Sequence, residues 1–201
     1  MRYVGRMVGV GLKDGKPFAF YRVSSRSFPN RTAKLRGDEV AVLNLRETTN
    51  PYVSYTAVKI FRDYAVISNG SHTTFIAHAL EWEKPKKALI HVLDAMDYER
   101  DVLNTPRIAG IIQRDKNEAF LGFAGKDEFW VKRVKLNEGK AFFTATYNVE
   151  GIETLSLDFK DENDLAERVV LELKFAHPVL AIGVVDFGDK FKIGIRGVKN
   201  L

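Results

Sequence analysis

The sequence predicts a layered α+β domain, antiparallel sheets with helices packed on the outside. Three observations lead there. Apolar, β-rich runs outnumber helical ones, they follow one another as hairpins, and helical periodicity recurs in only three places. No internal repeat, low-complexity stretch or linker breaks the order, so one domain is expected over residues 1–201.

The chain opens with an apolar strand over residues 3–11, and Asp14-Gly15 supplies the turn into a second strand at 17–25. Further strands are expected at 39–45, 54–61 and 64–67, the last two joined at Arg62-Asp63. Asn69-Gly70-Ser71 then ends the strand pattern, and Ser71 is a good N-cap for a helix over 72–82 that Lys84-Pro85 terminates. A second helix over 86–99 places Leu89, Ile90, Leu93 and Met96 at helical spacing. Strands return at 108–113, 119–123, 129–136 and 140–147, with Asn137-Glu138-Gly139 as a turn. A third helix fits 161–173 with Leu165, Val169 and Val170 inward, and strands at 179–187 and 190–195 close the chain around Gly188-Asp189.

Composition narrows the chemistry. The hydrophobic fraction of 45% suits a sizeable buried core, and disorder is not expected before the last few residues. No apolar run approaches the roughly 18–20 residues needed to cross a bilayer, and the start lacks the features of a signal peptide, so a cytoplasmic protein without a membrane partner is expected. Cysteine is absent, which removes disulfides, thiolate nucleophiles and Cys-ligated metals. The four histidines do not rebuild a metal site, because none has a partner at ligand spacing. No metal is therefore expected. Residues 1–46 hold ten Lys or Arg against Asp14, Asp38 and Glu39, a local charge of +7 within a chain of +5 overall. Such asymmetry points to an anionic partner near the N-terminal third. A basic nucleic-acid-binding protein is the alternative of another class, but no recognised nucleic-acid motif is present and aromatics are not interleaved with basics.

Residues 21–31, Tyr-Arg-Val-Ser-Ser-Arg-Ser-Phe-Pro-Asn-Arg, are the most unusual stretch. On a strand, Phe18, Phe20, Arg22, Ser24 and Arg26 share one face, which turns from aromatic to cationic within two residues. Arginines can grip a phosphate through paired hydrogen bonds, with Ser24 and Ser25 completing the shell. A solvated strand end gives the same pattern. Tyr52 and Tyr55 bracket a strand start, where a phenol can donate to an oxyanion or simply pack. Asn69, Gly70 and His72 lie where a strand turns into a helix, either an anion site or an ordinary capped helix. Asp97-Tyr98-Glu99-Arg100-Asp101, followed by Asn104-Thr105-Pro106-Arg107, sets carboxylates beside guanidiniums at a helix end, as a site or as a solvated face.

Taken in order, YVGR, YRVSSRSFPNR, NPYVSYTAV, ISNGSHT and DYERDVLNTPRIAG resemble the archaeal IMP cyclohydrolase family across almost the full chain. The resemblance implies a four-layer αββα sandwich of antiparallel sheets, N-terminal-nucleophile-hydrolase-like. Hydrolases of that architecture expose a nucleophile at the processed N-terminus, whereas this sequence begins Met1-Arg2-Tyr3, so covalent amide hydrolysis is not expected. The reaction implied is closure of 5-formamidoimidazole-4-carboxamide ribotide to IMP with loss of water, without metal, cofactor or covalent intermediate. Tyr55 is the expected oxyanion donor or relay and Glu99 the base, with Arg26 counted among the catalytic residues. Arg22 and Arg26, with Ser24 and Ser25 nearby, are expected at the 5′-phosphate or the carboxamide oxygen, with Asn30, Asn69, His72 and Arg107 as further ligand contacts. A homo-oligomer such as a tetramer is also implied.

Overall fold

A computed structural model describes residues 1–198. Hairpin follows hairpin, as the turn residues require. Strands β1 (Arg6–Lys13), β2 (Lys16–Ser24), β3 (Arg31–Arg36), β4 (Glu39–Asn44), β5 (Tyr55–Phe61) and β6 (Tyr64–Ser68) precede helices α1 (His72–Ala79) and α2 (Pro85–Met96). Strands β7 (Arg107–Gln113), β8 (Glu118–Ala124), β9 (Phe129–Lys135), β10 (Lys140–Ala145) and β11 (Glu153–Ser156) come next, then α3 (Glu162–Leu171), β12 (Pro178–Asp186) and β13 (Phe191–Gly197). They form a six-stranded sheet ordered β11-β10-β1-β2-β12-β13 and a seven-stranded sheet ordered β3 to β9 in sequence, with every strand pair antiparallel.

Strand alternation decides what each face buries. Val8, Val10, Ala19 and Val23 of the first sheet meet Val42, Ala57, Ile67, Ile108 and Ile112 of the second, giving the central core. Met7, Phe18, Phe20, Ala181 and Val185 point the other way, under Leu165, Val169 and Val170 of α3. On the far side Val66, Ala109 and Ile111 pack beneath Ile76, Ala77, Leu89 and Leu93 of α1 and α2. The order is therefore helix, sheet, sheet, helices, with each fully buried aliphatic side chain contributing roughly 1.5–3 kcal/mol. Gly194 lets α3 lie close, because a Cβ there would sit 2.2 Å from the Glu162 carbonyl oxygen.

Several boundaries differ from the sequence expectation for physical reasons. The first strand starts at Arg6 because Gly5, at φ +67°, breaks the extended run. Helix α2 ends at Met96, and Asp97 at φ 53° turns the chain, so Glu99 lies outside the helix. Helix α1 stops at Ala79, and its N-cap Ser71 makes no side-chain capping bond. Instead the Ser68 and Thr73 hydroxyls both reach the Gly70 carbonyl, at 3.1 Å each. Asp161 does cap α3, accepting from the Asn163 and Asp164 amides at 2.9 Å. Two strands were not expected, β3 and β11, and each is the edge of its sheet. Edge strands need only one apolar face and commonly carry charge against mispairing, so RTAKLR has no clean alternation. The final residues 199–201, where the sequence allowed disorder, lie outside the described residues.

Candidate active site

One end of the sandwich collects the polar side chains. There β1, β3, β5 and β7 begin and β2 and β6 end. Arg6 has the parity of Val8 and Val10 and so turns its side chain between the sheets, where its Nη2 donates to Glu99 Oε2 at 3.0 Å. Arg107 reaches the same carboxylate from the opposite side, Nη1 to Oε1 at 3.8 Å. Glu99 itself is fully buried, its backbone amide fastened to the Thr105 carbonyl at 2.8 Å. Burial raises the Glu99 carboxyl to about 7, outweighing the opposing pull of Arg6 and Arg107. That places a proton acceptor near neutrality.

Behind Arg107 stands His72, also fully buried. Its Nε2 donates to the Ile108 carbonyl at 3.1 Å, which fixes the tautomer and leaves Nδ1 to accept from Arg107 Nη1 at 3.4 Å. Burial, then the Arg107 charge, lower the imidazole to about 3, so it stays neutral. Asn69 braces the same strand start on both sides of Arg107, donating to the Pro106 carbonyl at 2.9 Å and accepting from the Ile108 amide at 2.8 Å. Both of its side-chain polar atoms are thereby used.

Above Glu99 lies a cavity of about 70 Å³ lined by residues including Tyr3, Arg6, Ser25, Ser27, Arg31, Tyr52 and Tyr147. Tyr3 and Tyr147 stack, with centroids 5.9 Å apart. Tyr147 donates to Thr105 Oγ1 at 2.6 Å while that hydroxyl donates to Asp101 Oδ2 at 2.7 Å, holding the loop that carries Glu99. Arg31 is buried over the Phe28 ring, and among the described residues its Nε and Nη1 have no hydrogen-bond partner. Of eight buried polar atoms lacking a partner among the described residues, five belong to Arg6, Arg31, Glu99 and Arg107. Native proteins rarely tolerate such atoms, so their concentration here marks a ligand site. A larger, apolar groove of about 550 Å³ lies elsewhere, between α1 and α2, away from these charges.

The remaining sequence candidates divide. Tyr55, at the start of β5, is not among the residues lining the cavity but lies within electrostatic reach of Arg6, and it bonds Tyr21 of β2 at 2.6 Å, hydroxyl to hydroxyl. Ser25 lines the cavity, its Oγ accepting from the Phe28 amide at 3.0 Å. Arg26 lies beyond the end of β2, exposed, with its guanidinium 4.4 Å from the Tyr3 ring centroid at the rim. Asn30 is half-buried, and its backbone carbonyl accepts from the Leu45 amide at 2.8 Å. Arg22 and Ser24 face away from the cavity. They share the parity of Phe18 and Phe20, so they lie on the α3 side, where Arg22 donates to Ser24 Oγ at 2.6 Å and to the Phe175 carbonyl at 3.1 Å. Arg22 is deeply buried there, and burial lowers it to about 10. Sequence reasoning assigned no role to Arg6, Arg31, Tyr21 or Tyr147. The parity of Arg6 with Val8 and Val10 was a readable signal for one of them.

Two guanidiniums pair with one buried carboxylate, a third lies within electrostatic reach, and hydroxyls and aromatic rings line the cavity beside them, an arrangement suited to acid–base chemistry on a small anionic ligand. Among the described residues no group of three or more His, Asp or Glu is placed to hold a metal, and no helix is long and apolar enough to cross a membrane. The chain belongs to the IMP cyclohydrolase-like family, whose sequence model matches residues 3–190. It is 60% identical over 186 residues to the IMP cyclohydrolase of Thermococcus kodakarensis, covering 92% of this chain and 93% of that protein. It is 42% identical over 204 residues to the IMP cyclohydrolase of Methanocaldococcus jannaschii, covering 97% of this chain and 99% of that one.

Proposed function

We propose that the protein is an IMP cyclohydrolase, closing 5-formamidoimidazole-4-carboxamide ribotide to IMP. The observation that carries the reading is the near-full-length identity of 60% to a protein of that name. The acid–base character of the Arg6–Glu99–Arg107 cluster supports it. The helix, sheet, sheet, helix layer order is compatible with an N-terminal-nucleophile-hydrolase-like scaffold.

The carboxamide nitrogen attacks the formyl carbon and loses one proton. The formyl oxygen becomes a hydroxyl and then leaves as water, while the formamide nitrogen gives up its hydrogen and the ring becomes aromatic. Both reacting groups sit on one molecule, so the protein's task is alignment, proton acceptance and oxyanion stabilisation. Glu99 Oε1, unpartnered by any hydrogen bond, takes the nitrogen's proton, and Tyr55 donates to the former formyl oxygen. Glu99 has no exposure, so the ligand reaches it by displacing the Arg6 guanidinium toward the carboxamide oxygen. Arg31, with Ser25 and Ser27, takes the 5′-phosphate, while Arg26 attracts it at the rim. Asn69 and His72 hold Arg107, and Arg22 with Ser24 braces the end of β2 from behind. Typical ligand pockets measure roughly 300–1,000 Å³. A cavity of about 70 Å³ must therefore widen, and the exposed Leu103 marks the wall with least to lose by moving.

Incubating the protein with the formylated ribotide and following IMP by chromatography tests the reading. Failure to form IMP from authentic substrate overturns it.

A further inference from the structure

We propose that Tyr21 is a positioning residue for Tyr55: the Tyr21 hydroxyl donates to Tyr55 Oη across the two sheets, which leaves the Tyr55 proton free for a ligand drawn to Arg6. The two oxygens are 2.6 Å apart, and neither hydroxyl has another hydrogen-bond partner among the described residues. The rings meet edge to face, with centroids 6.5 Å apart, so the bond ties β2 to β5 beneath the site.

Burial decides the direction of the bond. Two phenols share one bridging proton, and the other proton must go elsewhere. Both rings pack in the central core, Tyr21 at 0% exposure and Tyr55 at 8%. If Tyr55 were the donor, the Tyr21 proton would be stranded in a fully buried setting whose charged neighbours, Arg6 and Arg31, donate and do not accept, an arrangement that buried polar groups avoid. With Tyr21 as donor, the unshared proton belongs to Tyr55, the more exposed of the two and a neighbour of Arg6, which lines the cavity. Burial, then the neighbouring Tyr55, hold the Tyr21 phenol well above its ordinary range, so it keeps its proton throughout the working pH. Tyr21 touches no ligand. It makes Tyr55 a fixed donor where a freely rotating hydroxyl would have to be oriented at each turnover.

The inference rests on the ring-closure reading of Tyr55 and is tested by a cycle of Tyr21→Phe, Tyr55→Phe and the double variant, with folding checked by circular dichroism. In Tyr21→Phe, kcat should fall roughly 2- to 10-fold, the worth of one net hydrogen bond, with KM within about twofold. In a Tyr55→Phe background the same change should cost kcat nothing further. Native kcat in Tyr21→Phe, or an equal loss in both backgrounds, overturns the positioning role. Full turnover in Tyr55→Phe removes the role of Tyr55 and this inference with it, whereas a wild-type protein that makes no IMP removes the function itself. A second measurement needs no Tyr21 variant. In wild-type protein the bridging hydroxyl proton should appear by NMR as a downfield resonance with stronger cross-relaxation to the Tyr21 ring than to the Tyr55 ring. The reverse ratio overturns the direction.

Discussion

Glu99→Gln tests which of two opposed forces governs the site. Burial favours the neutral carboxyl, while guanidiniums at 3.0 and 3.8 Å favour the charged one. With burial dominant, the carboxyl moves from its ordinary 4.5 to about 7. The native state then holds this proton more tightly than the unfolded chain. The resulting stability is fully present below about pH 4.5 and is lost as pH rises through about 7. The interval corresponds to about 3 kcal/mol. His72 runs the other way. Its lowered value of about 3 costs stability as pH falls through its ordinary 6.5, so the wild-type curve alone mixes the two.

The difference between wild type and Glu99→Gln isolates the carboxyl. Thermal or denaturant unfolding at steps from pH 4 to 9 should show the glutamine variant gaining on wild type by about 3 kcal/mol, mostly between pH 4.5 and 7. A constant offset is expected besides, because Arg6 and Arg107 lose their counter-charge, and it decides nothing. In parallel, wild-type kcat/KM should rise with pH through about 7 as the base ionises in the free protein. The variant should lose about 100- to 10,000-fold in kcat and lack that rise. A pH-independent stability difference, or one that grows toward acid, would mean that the guanidiniums win and Glu99 is a permanent anion. Near-native turnover would remove it as the base whatever its charge.

Further outcomes follow from the same geometry. Arg31→Ala should weaken IMP binding roughly 10- to 100-fold by calorimetry, the worth of a charge-assisted contact to phosphate, and unchanged affinity would return Arg31 to a structural role. Arg26→Ala, at an exposed rim position, should cost less than about threefold, and a larger loss than in Arg31→Ala would exchange the two assignments. His72→Phe should lower kcat/KM about tenfold through Arg107 while leaving the acidic limb of the pH profile where it was; a shifted limb would make the imidazole itself the titrating group. Turnover should survive exhaustive chelation, and restoration by a divalent ion after its loss would overturn the metal-free mechanism.

The sequence made the layers readable because both sheets bury one face against the other and one against helices. That leaves long apolar strands such as β1, β2 and β12 with turn residues between them. What it hid were the edges and the direction of particular side chains. Strand β3 carries Arg31, Lys34 and Arg36, so nothing in its pattern announces a strand, yet pairing with β4 is what turns Arg31 inward. Arg22 and Arg26 drew attention because they interrupt an aromatic face, but that face belongs to α3. Arg22 shares it with Phe18 and Phe20, while β1 presents Arg6 to the other face from a less conspicuous segment. Composition could count arginines and locate their excess. Only the pairing of strands could say which of them share a space with Glu99.

The same reasoning explains why the site sits at a strand end. Within the central core a guanidinium would have no partner and would cost several kcal/mol. At the end of the sandwich the loop from Asp97 to Pro106 can fold back over the opening. Asp101 holds that loop by accepting from the Thr105 amide at 2.8 Å and the Leu103 amide at 3.2 Å. The left-handed Asp97 and Asn104, at φ 53° and 48°, bracket it. The loop thus brings a carboxylate to cations that the strands have already fixed, Arg6 by β1 and Arg107 by β7. The helical extension expected through residue 99 would have carried Glu99 onward along α2. The turn at Asp97 ends the helix instead, and a carboxylate whose segment read alike as a site or as a solvated helix end becomes the buried partner of Arg6 and Arg107.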